Sequence, residues 1–395
     1  MTFGTPYLEP KVINLNPNVK KIRLPVHGQG VFVFSNRNKV EDAVFFIYNK
    51  EKTDGFKVKF TEKRIVLIRI SDNARLVDKK NKVGLLDIEN AFYWISIDSQ
   101  NQQIYAGYGE ARVEDIKYQY KLKETDRPFL ESLTHIQLKP VTYMMPLRIV
   151  RDPIAEKVPL VIKDTNQLTM EDVALNKYMP VANLSPVGQQ LYNCISGTNF
   201  KLNTDDFPEF GQAIERSIRT PGLWCYEKLK EKSTEFNPDV PNINETYLRI
   251  TLGKNDGESP GIPYVMEIWP VGHYSPIHNH SSANAVIRVL QGEINVTLFP
   301  FLTDKIKPFG QANFHFDQST WISTNLNQIH QLKNMEYNSM ACITIQCYLY
   351  DETDNLHYDY FDYVDEQGKI QHYNPDSDMG FVEFKEIIKQ EWLNK

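Results

Sequence analysis

Short stretches in which every second residue is aromatic or β-branched recur along this chain, and they limit its fold more than any other feature. In Phe56-Lys57-Val58-Lys59-Phe60 the apolar and charged residues alternate strictly. On an extended chain successive side chains point to opposite faces, so such a run buries one face and solvates the other. Residues 31–34, 43–48, 64–70 and 92–97 read the same way, and Lys52-Thr53-Asp54-Gly55 and Asp98-Ser99-Gln100-Asn101 supply polar turns. Aromatic residues reach 12% of the chain, a usage suited to pleated, half-buried surfaces. Closely spaced strands over residues 1–125 predict a β-sandwich domain. Strand patterning returns from Tyr247 to about Tyr363, and no internal repeat suggests a solenoid. The expected class is therefore mainly β.

Between these regions, residues 126–186 carry Pro128, Pro140, Pro146, Pro153, Pro159, Pro180 and Pro186, and they read as a connector. Met144-Met145 within it reads as gap-filling rather than as a thioether metal site. A second domain is expected over residues 187–395. There Thr204-Asp205-Asp206 is placed to cap a helix carrying Phe210, Ile214 and Ile218 on one face, with Pro221-Gly222 as its stop. Residues 223–232 predict another short helix. Residues 381–392 predict a packed terminal helix, with Ser377 or Asp378 as its cap.

Several function classes are disfavoured at once. With 44 Lys+Arg against 50 Asp+Glu the net charge is -6, which gives little general attraction to phosphate backbones or anionic lipid. Apolar runs such as 43–47 and 65–68 are too short to cross a bilayer. The first residues, MTFGTPYLEPKV, lack the basic and apolar regions of a secretory signal. Four cysteines without a CxxC pair make no disulfide scaffold. The expectation is a soluble, cytoplasmic protein with neither nucleic-acid nor membrane partners.

The chemistry is concentrated in Gly272-His273-Tyr274-Ser275-Pro276-Ile277-His278-Asn279-His280. On a strand His278 and His280 share a face, and two imidazoles on one face are half a metal site. His330 is the best candidate for a third ligand. Only 9 of 395 residues are histidine, so three at this spacing favour metal over chance. Gly272 lies six positions before His278 and Gly292 twelve after His280. This pattern resembles the first cupin motif, G-x5-H-x-H-x(3,4)-E-x6-G. Where that motif carries a glutamate ligand, this chain has Asn284 and Ala285, leaving a three-histidine face with open positions. Asn325 and Asn327 replace the Pro-x-Gly of the second motif, and asparagine still tolerates the positive φ of a tight turn. A neutral His₃ set leaves a divalent ion its full charge, which suits a thiolate substrate; His₃ also suits zinc hydroxide.

From about residue 187 onward the chain resembles cysteine dioxygenase, a non-haem iron cupin enzyme that oxidises cysteine to its sulfinate. The resemblance runs through Trp269, Gly272-His273, His278-x-His280 and Val289-Leu290-Gln291-Gly292. It implies a cupin (a double-stranded β-helix, or jelly roll) that binds Fe(II) through His278, His280 and His330. Tyr247-Leu248-Arg249 matches a Tyr-x-Arg motif whose arginine holds the substrate carboxylate. Tyr348 falls where a tyrosine places its hydroxyl over the iron, with Tyr350 as runner-up. Ala285 stands where animal enzymes carry a cysteine bonded to that tyrosine, so no Cys–Tyr thioether is expected. Gln346 and Thr344 replace the histidine and serine that help hold it. At the other end, Phe92-Tyr93-Trp94-Ile95-Ser96 followed by Ile104-Tyr105-Ala106-Gly107-Tyr108-Gly109 resembles the β-sandwich domain named after farnesoic acid O-methyltransferase. No glycine-rich loop for S-adenosylmethionine accompanies it, so methyl transfer is not inferred. Its partner, a protein or a carbohydrate, is open.

Other roles compete for individual residues. Tyr247 could be a core aromatic, Arg249 a surface strand residue, and Arg288 an outward-facing one. Trp269 reads as packing beneath the motif strand. His273 and His357 are not assigned to the metal. The resemblance thus implies conversion of L-cysteine and O2 to cysteine sulfinic acid, with 3-mercaptopropionate or another small thiol as the alternative. A non-catalytic binding or structural protein is the rival from another class. A zinc-type hydrolase ranks last, because no convergent carboxylate base is evident near the histidines.

Overall fold

A computed structural model describes residues 12–14, 21–36, 42–78, 84–86, 88, 91–138, 144–252, 263–350 and 360–394. The chain divides into two compact units, residues 1–158 and 159–395, and both are mainly β as expected.

The first unit holds two six-stranded sheets. Strands Gln29–Asn36, Ala91–Asp98 and Gln103–Tyr108 lie adjacent in one sheet, and Ala43–Asn49, Gly55–Thr61 and Arg64–Arg69 in the other. Alternation puts Phe32 and Phe34 on one face of their strand. Phe32 meets Phe45 edge-on at 4.9 Å and Phe34 meets Phe60 at 5.0 Å, so the inner faces of the two sheets share an aromatic core. Gly107 is required where it stands: an added Cβ would run into the Asp115 carbonyl and the Trp94 ring.

The stretch expected as a connector is built into both units instead. Leu133–Leu138 pairs with Ala43–Asn49, and Met144–Val150 pairs with Gln29–Asn36. Pro146 falls where the latter register shifts, between Met145 and Arg148, and a bulge is where a strand tolerates proline. The side chains of Met144 and Met145 lie outside the described residues.

The second unit is organised by eight strands: β1 (Tyr264–Trp269), β2 (Ile277–His278), β3 (Asn284–Gln291), β4 (Glu293–Leu298), β5 (Gly310–His315), β6 (Ser319–Ile322), β7 (His330–Lys333) and β8 (Cys342–Leu349). One sheet runs β6-β3-β8-β1 and the other β5-β4-β7-β2, each continued by further strands. The chain crosses between the sheets after most strands, and this order is that of a jelly roll, the fold of cupins. Among the described residues the two sheets do not join into one closed barrel. The strand Leu248–Leu252 extends the first sheet beside β1.

Helices Phe210–Arg219, Trp224–Glu231 and Phe381–Leu393 cover the outer face of that sheet, packing Phe210, Ile214 and Phe384 against Leu248, Ile250 and Ile268. Gly222, with φ +87°, follows the first of them as the Pro-Gly stop predicts. The expected caps are different. The first helix begins at Phe210, and Thr204 and Asp206 bind Lys385 instead. The terminal helix takes Gly380 as its N-cap, and Asp378 accepts from the Arg249 backbone N–H and from Lys232. Tertiary cations outcompeted the local cap in both cases. Arg288 lies on the outer face of its strand, as expected, in register with Ile345 and Met266; it binds Asp317 and donates to the Ile195 and Gly197 carbonyls, closing the end of helix Pro186–Ile195.

Candidate metal centre

The three histidines meet. His278 on β2 is the direct antiparallel neighbour of His330 on β7, and His280 follows two residues on. Their potential ligand atoms lie within 4.8 Å of one another. His280 Nε2 is 3.2 Å from His330 Nε2, hydrogen-bond distance for an N–H facing a lone pair.

Two of the rings are aimed by the backbone. His278 Nδ1 lies 3.0 Å from the Pro276 carbonyl and His330 Nδ1 3.0 Å from the Asn327 carbonyl. A carbonyl only accepts, so each Nδ1 carries the proton and each Nε2 is left with its lone pair free, the usual support of a metal-binding imidazole. Asn327 has φ +62°, the left-handed turn that asparagine was expected to allow. All three rings are buried. Burial pushes the pKa of His278 down to about 3 and of His330 down to about 4, and takes His280 well below the usual histidine range. Three neutral imidazoles with ligand atoms this close, two of them with Nε2 lone pairs set by the backbone, fit a divalent metal. The glutamate position is vacant as a ligand: the Asn284 amide donates to the Leu349 carbonyl.

The opposite sheet supplies a second set of polar groups. In Leu248–Leu252, Leu248 and Ile250 face the helices, so Arg249 faces the interior. On β1, Met266 and Ile268 face the helices and Glu267 the interior. Arg249 and Glu267 are direct cross-strand neighbours. Arg249 Nη1 donates to Glu267 Oε1 at 2.6 Å, with side chains 6% and 4% exposed. Gln346 Nε2 donates to the other oxygen, Oε2, and Tyr348 Oη donates to Gln346 Oε1. Tyr348 then lies over His280, ring centroids 5.5 Å apart, which joins the two sets. Burial works to lower the Arg249 pKa, but the Glu267 charge outweighs it and the guanidinium is held more firmly protonated than usual. Burial raises the Glu267 carboxyl above the usual range, and Arg249 draws it back. Desolvation likewise raises Tyr348, which stays a phenol.

The sequence reading overlooked Glu267. A single acid inside the apolar run Tyr-Val-Met-Glu-Ile-Trp was the signal, since a charge is rarely buried in a strand without a partner. Glu267 reaches the histidines only through Gln346 and Tyr348, and its carboxylate is engaged by Arg249. Tyr247 is buried in a stack with Trp269, ring centroids 4.1 Å apart. Ala285 is the cross-strand neighbour of Tyr348 and presents a methyl group there. His273 is buried, with Nδ1 against Thr246. His357 lies outside the described residues. No described helix is long and apolar enough to cross a membrane.

No family model matches the chain. A stretch of 77 residues is 31% identical to cysteine dioxygenase type 1 from Danio rerio, covering 18% of this chain and 38% of that protein. Among solved structures, the cupin domain of Cnp3 from Schizosaccharomyces pombe is 17% identical over 27% of this chain and 65% of that one, with TM-score 0.21. A cupin 2 domain-containing protein from Halorhodospira halophila is 14% identical over 38% of this chain and 84% of that one, with TM-score 0.22. With scores this low the fold assignment rests on strand order instead. Strand order, the histidine set and the short dioxygenase match agree on a C-terminal unit of cupin type whose donor set is compatible with a metal.

Proposed function

We propose that the C-terminal unit is a non-haem Fe(II) thiol dioxygenase. The reference reaction is L-cysteine plus O2 to cysteine sulfinic acid, with 3-mercaptopropionate or another small thiol as the alternative substrate. The convergence of three neutral imidazoles, with a buried tyrosine ring stacked on one of them, carries this reading. His278, His280 and His330 would hold the iron, which supplies the redox chemistry when bound. The reaction balances without a further reductant: RSH + O2 gives RSO2H, sulfur giving up four electrons and taking both oxygen atoms.

The chain's own groups orient and insulate. The Pro276 and Asn327 carbonyls hold the ligand tautomers. Gln346 accepts a hydrogen bond from the Tyr348 hydroxyl and so fixes the phenol ring where it lies over His280. Tyr247 braces the Arg249 strand through its stack on Trp269. Nucleic acid and membrane have no place in this scheme, which suits a cytoplasmic enzyme.

Anaerobic loading with Fe(II), followed by parallel measurement of oxygen uptake and sulfinate, tests the proposal. One sulfinate per O2 is expected. The replacement of histidine by Gln346 favours a second reading, a metal-binding cupin without turnover. Iron bound with no thiol oxidised would select it.

A further inference from the structure

The dioxygenase-type resemblance gives Arg249 the task of holding a substrate carboxylate, yet the structure gives it a carboxylate already. Both oxygens of Glu267 are engaged, Oε1 by Arg249 and Oε2 by Gln346. The pair is buried and its formal charges cancel. The nearby buried cation Lys232 is committed as well, to Glu235 and Asp378. A second carboxylate brought to Arg249, whose Nε has no hydrogen-bond partner, would face the Glu267 carboxylate in a poorly solvated site where the neighbouring lysine is already paired. Like charges so placed repel strongly, and an incompletely paired buried anion adds to that cost.

We propose that Glu267 occupies the carboxylate-holding capacity of Arg249, so that the site takes small thiols whose tail carries no carboxylate, such as aminothiols or thiol esters. This rests on the thiol dioxygenase reading and narrows its substrate. The thiolate still goes to the metal, and the sulfur chemistry and its balance are unchanged. Glu267 is here a specificity-determining residue, acting through Arg249.

The test compares pairs of thiols matched except for charge. Wild-type protein loaded with Fe(II) is assayed with L-cysteine against L-cysteine methyl ester, and 3-mercaptopropionate against cysteamine. Each carboxylate-free member is expected to exceed its partner in kcat/KM by about tenfold or more, corresponding to a barrier difference of about 1.4 kcal/mol. Glu267→Gln keeps the shape and one of the two accepted hydrogen bonds but releases the Arg249 charge, and should shift both ratios towards the carboxylate by about tenfold. Binding is read separately from the thiolate-to-metal absorption of Co(II)-loaded protein, where the Kd values should follow the same order. Cysteine equal to or better than its ester in wild-type protein overturns the proposal without needing any variant. So does a ratio unmoved by Glu267→Gln. Discrimination in cobalt binding with no oxidation of any thiol upholds this inference and overturns the dioxygenase reading. Absence of thiol binding overturns both.

Discussion

Each unit buries an arginine, and the two are neutralised in opposite ways. In the sandwich, Arg112 takes its partners from its own loop: Glu110 and Glu114, each at 3.0 Å and two residues away, with the Val158 carbonyl as a further acceptor. In the cupin-type unit, Arg249 is met by a carboxylate 18 residues away on the next strand and retains a buried Nε with no hydrogen-bond partner. The first arrangement takes both its carboxylates from within two residues and fastens a turn. The second exists only when separate strands are in register, and it stands in a network leading to three histidines. Buried charge assembled from distant strands is costly and invites a functional explanation; buried charge closed locally does not.

The largest effect that tests this contrast is at the histidines. His330→Ala should cut bound metal at least about tenfold after loading and desalting, as read by elemental analysis. A normally metallated variant would remove His330 from the ligand set. Next come the arginines. Arg249→Met should cost roughly 3–5 kcal/mol in denaturant unfolding, because Glu267 is left buried and unpaired, and the added change Glu267→Met should recover most of that loss. Arg112→Met should cost less, about 1–3 kcal/mol, since Glu110 and Glu114 reach solvent. If the ordering reverses, the local pair is the more costly one and the contrast fails. The smallest effect concerns Glu245, whose carboxyl is raised from 4.5 to about 7 by burial and by the charge of Glu366. The folded state holds this proton more tightly, so its contribution is intact below about pH 4.5 and declines until about pH 7. Glu245→Gln should therefore be about 1–2 kcal/mol more stable than wild type at pH 8, after allowance for partial exposure, and indistinguishable at pH 4.

What could be read from the sequence was whatever depends on one segment. The paired histidines of His278-x-His280, the left-handed turn at Asn327 and the alternating strands of the sandwich each follow from local spacing. What escaped depends on which strands become neighbours. Glu267 acquires its meaning from standing opposite Arg249, and a one-residue slip in register would turn it to the helix side. The helix caps were misread for a similar reason: Thr204, Asp206 and Asp378 have the right chemistry but spend it on Lys385, Lys232 and the Arg249 backbone. Residues 126–158 looked like a connector because prolines interrupt their alternation, whereas a bulge accommodates Pro146 within a strand.

The histidines lie on or beside strands of one sheet, whereas Arg249, Glu267, Gln346 and Tyr348 belong to the other. In the proposed enzyme, metal affinity and substrate choice are thereby placed under separate inheritance. Mutation along β1, β8 and the Leu248–Leu252 strand could retune which molecule enters while the metal cradle passes on unaltered, and a lineage could explore new substrates without first losing its metal.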